Sequence, residues 1–165
     1  MTGAMTSRAH TSFVVETRSA HQTKMWGRRL ASILEGGELL GLVGELGAGK
    51  TVFVKGLARG LNLREEEILS PSFTMIREHR GRLPLYHIDL YRLEQPVLDD
   101  LGLREYLFSD AVAAVEWFER LREAAELDCI LIRISYAGAS IRRIEFEALG
   151  DRYGSIVESL KARFG

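Results

Sequence analysis

The part of this chain that most restricts its fold is one short run, residues 39–57. A nearly continuous apolar stretch, ELLGLV at 38–43, leads straight into GELGAGKT at 44–51, and a helical pattern follows to about Arg59 and stops at Gly60. An apolar run of this kind suits a strand buried on both faces. The residues after it match G-x-x-x-x-G-K-[ST] in the setting that pattern requires, between a strand and a helix. Gly44, Gly47 and Gly49 let the backbone turn tightly and aim its N–H groups inward, and a helix beginning near Lys50 adds its positive end. Such a cradle is expected to hold the phosphates of a nucleotide. The expected contacts are Glu45, Leu46, Gly47, Ala48, Gly49, Lys50 and Thr51, with Lys50 reaching the β- and γ-phosphates and the Thr51 hydroxyl binding Mg²⁺.

A site of this type also needs an acid at the end of a neighbouring buried strand. Two runs offer one. AVAAVE at 111–116 ends in Glu116, and LPLYHID at 83–89 ends in Asp89. The first is the more apolar, as a central strand would be, so Glu116 is assigned to the metal and Asp89 to positioning the attacking water. The reverse assignment stays open. N-K-x-D, the guanine-reading element of Ras-like GTPases, occurs nowhere in the chain, which favours ATP. Trp117 stands beside Glu116 and suits either the nucleotide site or the core. His87 reads as a hairpin residue near the site.

The remaining pattern predicts an edge strand at 11–15 and a helix capped by Ser19 with Gln22 as its reciprocal partner, stopped at Gly36-Gly37. Trp26, Leu30, Ile33 and Leu34 form that helix's core stripe. A charged, solvated loop is expected at 64–67, a hairpin from 73–77 and 83–89, and helices at 96–108 and 118–126. A strand pair at 130–135 and 141–147 precedes a last helix carrying Tyr153, Ile156, Val157, Leu160 and Phe164. The fold class expected is α/β: a P-loop NTPase-like three-layer fold with a mostly parallel central sheet, a β-hairpin and flanking helices. With 165 residues and no linker or repeat, one domain is expected over 1–165, with 1–10 a disordered polar tail.

Composition narrows the partners. Net charge is −1, without the basic footprint of a protein that grips nucleic acid by itself. The one cysteine, Cys129, excludes an intramolecular disulfide, and with no secretory or membrane-spanning pattern a reduced, cytoplasmic setting is expected.

Several segments together resemble the TsaE (YjeE) family. GELGAGKT is similar to its G-[DE]-L-G-A-G-K-T loop, and Ser70-Pro71-Ser72-Phe73-Thr74 to its S-P-T-[FY]-T signature. The run Tyr86-His87-Ile88-Asp89-Leu90-Tyr91-Arg92-Leu93 is similar to Y-H-x-D-L-Y-R-L, and Glu116-Trp117-Phe118-Glu119-Arg120 to E-W-P-E-R. Ser72 replaces the usual threonine, and Phe118 stands where the family often has proline. The resemblance implies an ATPase with Thr51 and Glu116 on Mg²⁺, Asp89 and Lys50 in hydrolysis, and residues 70–74 as a switch-like loop. It also implies work with TsaD and TsaB, which transfer threonylcarbamoyl to adenosine 37 of tRNAs reading codons that begin with A. The tRNA is then met only through the complex. A P-loop small-molecule kinase, with Arg77, Arg80 and Arg82 as a lid, is the rival enzyme. A nucleotide-dependent switch or binding module is the rival of another class.

Overall fold

The structure, a computed structural model, describes residues 11–69, 75–99 and 102–165. The predicted tail at 1–10, the 70–74 segment and Leu101 lie outside the described residues. A seven-stranded sheet has the order β1-β7-β6-β2-β5-β4-β3. Its strands are β1 (Ser12–Thr17), β2 (Leu39–Val43), β3 (Ile76–Arg80), β4 (Pro84–Asp89), β5 (Val112–Glu116), β6 (Cys129–Tyr136) and β7 (Arg142–Leu149). The inner neighbours β6, β2, β5 and β4 run parallel, and β1, β7 and β3 add antiparallel flanks. The apolar runs predicted as buried strands are these inner ones: all five residues of β5 are buried. With every inner strand pointing the same way, their carboxyl ends form one rim, where ligands of open α/β sheets bind.

One face of the sheet carries α1 (Ala20–Ala31), α2 (Lys50–Gly60) and the carboxy-terminal α4 (Asp151–Phe164). Trp26, Leu30, Phe53, Leu57, Val157 and Leu160 pack there on Leu40, Leu42, Ile132 and Phe146. The helices approach closely because their facing positions are glycines. A Cβ on Gly56 would stand 1.9 Å from the Lys24 carbonyl oxygen, and one on Gly27 would stand 2.3 Å from that of Phe53. The other face is covered by Leu98, Leu103, Leu107, Phe118 and Leu121 from turns and one short helix.

Several expected elements came out shorter. Among the described residues, the helix expected at 96–108 is confined to α3 (Leu103–Leu107), which Gly102 enters at φ +66°. The helix expected at 118–126 is two 3-10 turns, Phe118–Arg120 and Ala124–Glu126. Helix α1 ends at Ala31, before the glycine pair, yet Leu34 beyond it is still buried. Ser19 Oγ does accept from Gln22 N at 3.2 Å, but Gln22 Oε1 accepts from Arg18 N at 2.7 Å rather than from the cap residue itself. The hairpin forms as the antiparallel pair β3–β4, but its first strand runs Ile76–Arg80 rather than 73–77, and the turn falls at 81–83; residues 73–74 lie outside the described residues. In the charged stretch, Glu65 is turned inward, 2.9 Å from Lys24 Nζ and 3.6 Å from Arg59.

Candidate functional site

Strand β2 delivers the glycine loop to the centre of the rim, and β5 and β4 deliver an acid each beside it. Leu42 is paired with Glu116, and Glu116 with Asp89, so loop and acids share one level of the sheet. Gly47 at φ +78° and Gly49 at φ +118° hold the left-handed conformations that curl the loop, which a side chain would strain. Gly49 is the N-cap of α2 and makes no side-chain cap bond, so the first turn of that helix opens toward the cleft. Tyr136 donates to the Leu46 carbonyl at 3.1 Å and Arg142 to that of Ala48 at 3.0 Å, tying the loop to β6 and β7.

The cleft has a volume of about 320 Å³ and is lined by Leu46, Gly47, Gly49, Lys50, Thr51, Val52, Asp89, Tyr91, Glu116 and Trp117. Thr51 Oγ1 donates to both Glu116 oxygens, at 2.8 and 3.0 Å. Asp89 is buried, and its Oδ1 accepts from Tyr91 N at 2.9 Å. Lys50 Nζ donates to the carbonyls of Gly44 and Glu45 and lies 3.9 Å from the centre of the Trp117 ring. Burial pushes the Lys50 ammonium below its usual value, against the opposing charges of Glu116, Glu119 and Asp89. A cation partly stripped of water gains from an added anionic partner, although the nearby acids already offset part of its charge.

The expected residues are therefore brought together, with distinctions among them. Lys50, Thr51, Asp89 and Glu116 share the cleft. Glu45 is exposed and does not line the cleft, while its carbonyl accepts from Lys50 Nζ at 3.1 Å. Ala48 is buried, its amide is engaged by the Glu45 carbonyl at 3.0 Å, and it faces a second groove behind the loop. Trp117, left open between core and site, lines the cleft in a left-handed conformation at φ +57°. Phe118, in the family's proline position, begins a 3-10 turn and is buried.

Three features escaped sequence reasoning. Tyr91 lines the cleft. Arg120 stacks near Tyr91 and Trp117, at 5.3 and 5.1 Å, and donates to the Tyr91 carbonyl at 2.7 Å. His87 bonds Glu116 directly, Nε2 to Oε2 at 2.5 Å. A signal for the last was present: His87 lies two residues before Asp89, hence on the same face of its strand.

Comparison with known proteins agrees with this geometry. The family model described as Threonylcarbamoyl adenosine biosynthesis protein TsaE matches residues 17–144. The tRNA threonylcarbamoyladenosine biosynthesis protein TsaE of Bacillus subtilis is 41% identical over 145 residues, 87% of this chain and 90% of that protein. The protein of the same name from Treponema pallidum is 45% identical over 120 residues, 72% of this chain and 87% of its own. The crystal structure of Bacillus subtilis YdiB matches with a TM-score of 0.81 at 36% identity, over 96% of this chain and 100% of that one. By sequence and fold, the chain belongs to the TsaE family.

Proposed function

We propose that this protein is a Mg²⁺-dependent ATPase, a single P-loop domain that works in the cytoplasm. It supports TsaB and TsaD in forming N6-threonylcarbamoyladenosine at position 37 of tRNAs reading A-starting codons. The observation that carries the reading is the contact of the Thr51 hydroxyl with Glu116 at 2.8 Å, beside the glycine loop and Lys50. A hydroxyl on the first turn of the helix, held by an acid from the neighbouring strand, is the oxygen pair that a P-loop site turns toward Mg²⁺.

The donor set fits that ion: Thr51 and Glu116 offer hard oxygen ligands. Among the described residues no group of three or more His, Cys, Asp or Glu side chains could hold a metal alone. Mg²⁺ characteristically completes its shell with phosphate oxygens and water. When bound, it would supply charge neutralisation at the phosphates. The loop backbone from Glu45 to Thr51 wraps the phosphates. Lys50 exchanges its carbonyl partners for phosphate oxygens, which its three donors and partial burial favour. Asp89 orients the attacking water from the adjoining strand end.

The groove behind the loop, about 370 Å³ and lined by Arg18, Ser19, Thr23, Ala48, Val52, Ser140 and Arg142, is the place for the base and ribose. It shares Gly47 and Gly49 with the phosphate cleft, so one nucleotide can span both. For the kinase alternative, Arg82 makes a poor lid residue: it donates to the carbonyls of Ala31 at 2.7 Å and Leu34 at 3.4 Å, closing the end of α1. Arg80 reaches back to Glu78 at 3.4 Å.

The test measures ATP turnover by the free chain, with TsaB and TsaD, and with tRNA added. Slow turnover alone that rises with TsaB and TsaD is expected. Fast turnover that ignores both proteins, or that needs a small acceptor, sinks the reading. Within the site, Glu116→Gln and Thr51→Ala are expected to raise the Mg²⁺ requirement, whereas Asp89→Asn lowers turnover and leaves ATP affinity nearly intact. The reverse pattern exchanges the two acids.

A further inference from the structure

His87 is fully buried on the middle of β4, on the sheet face that also presents Asp89 and Glu116. On its own face of the strand it lies between Leu85, fully buried, and Asp89, also buried. An imidazole in such surroundings loses water on both ring nitrogens and needs partners for them. Only one nitrogen has a partner: Nε2 is 2.5 Å from Glu116 Oε2, while Nδ1 makes no hydrogen bond among the described residues. A histidine kept for packing alone would be replaced at less cost by an apolar side chain of similar volume.

We infer that His87 is a positioning residue for the site: its Nε2–H holds the Glu116 carboxylate in the orientation that metal binding needs. The inference rests on the reading of Glu116 as a metal-holding acid. An ionised carboxylate only accepts hydrogen bonds, so the proton of this contact belongs to His87 Nε2. Glutamate carries one more rotatable bond than aspartate, and its carboxylate therefore needs two anchors to be fixed. Thr51 supplies one, at 2.8 and 3.0 Å, from α2. His87 supplies the other, on Oε2, from β4. The carboxylate is thus clamped between helix and sheet before a ligand arrives. Partners of this kind behind metal-holding groups characteristically change metal affinity 10–100-fold when removed.

Direct metal binding separates this role from a packing role. Mn²⁺, the paramagnetic stand-in for Mg²⁺, is titrated into the whole protein with ADP bound and followed by electron paramagnetic resonance. ADP affinity without metal and the melting temperature are measured beside it. Glutamine places an N–H donor near the position of Nε2, and asparagine places one near Nδ1. His87→Leu and His87→Asn are expected to weaken Mn²⁺ binding about tenfold or more, with metal-free ADP affinity unchanged, and His87→Gln to stay within about threefold of the parent. Wild-type Mn²⁺ affinity in His87→Leu or His87→Asn overturns the inference. So does a His87→Gln variant as weak as His87→Asn, or an equal loss of ADP affinity with and without metal. If His87→Leu does not fold, the glutamine–asparagine pair decides alone. Glu116→Gln is the control for the underlying reading. If it weakens Mn²⁺ while the His87 variants do not, only the inference about His87 falls; if it too binds Mn²⁺ normally, the metal role of Glu116 falls and the inference with it.

Discussion

The two faces of the sheet meet at the same cleft but are built in different ways. The helical face brings α1 and α2 so close that backbone touches backbone, through Gly27 and Gly56. The opposite face has short turns, and there a side chain presses on the central strand: a Cβ on Gly41 would meet the Phe118 ring at 2.5 Å. The glycine loop, Lys50 and Thr51 belong to the first face, Trp117 and Arg120 to the turns that close the second. A backbone contact has no soft member, so the first face can hold a phosphate cradle to a fixed shape. The second can yield by turning a ring, which suits the wall of a cleft that a ligand must enter.

The largest expected effect isolates the chemistry of the helical face from its packing. Lys50→Ala should lower ATP turnover by at least about 10²–10³-fold and sharply weaken nucleotide binding, while the chain still unfolds in one cooperative transition. Calorimetric titration and urea unfolding check both halves. Unchanged affinity would remove the phosphate assignment altogether.

Gly56→Ala tests the backbone contact itself. Helix propensity would favour alanine by about 1 kcal/mol, but the added Cβ falls on the Lys24 carbonyl, and the expected net loss is about 3 kcal/mol. No truncation of a neighbouring side chain should restore it. Gly41→Ala is the matching test on the other face. It should cost about 1–3 kcal/mol, and the double variant Gly41→Ala/Phe118→Leu should recover much of the loss, since the obstacle is a ring. Denaturant melts of these variants beside the parent, with Gly56→Ala also combined with truncation of a neighbouring side chain, decide the matter. A rescued Gly56→Ala, or a Gly41→Ala that Phe118→Leu makes worse, would erase the contrast.

The smallest effect concerns the ion pair that ties α1 to the turn after α2. The hydrogen bond from Lys24, with the charges of Lys24, Arg59 and Lys55, holds the Glu65 carboxyl below its ordinary value of 4.5. The unfolded chain then binds the proton more readily, so the stabilisation is whole above that value and is lost as pH falls from there through the lower folded value. Lys24→Met should therefore cost a little stability at about pH 7 and progressively less as pH falls below the ordinary carboxylate range. A stability difference that persists in acid would assign the effect to lost packing of the lysine stem instead.

What the sequence by itself determined is the local machinery. The buried strand, the glycine loop and the start of α2 follow from neighbours in the chain, because turn geometry and strand burial act over a few residues. Glu116 and Asp89 were legible for the same reason, each closing an apolar run, and their pairing in register followed from the parallel order of β4 and β5. Only the tertiary structure decided the rest. Helix α3 shrank to five residues and the 118–126 helix became two turns, because the packing of Leu103, Leu107, Phe118 and Leu121 outweighed a helical pattern too short to hold itself. Trp117 entered the cleft and His87 became a clamp on Glu116 through contacts between residues far apart in the chain. Spacing along one strand shows which face a side chain takes, but which partner waits there is set by the strands and helices that the fold lays beside it.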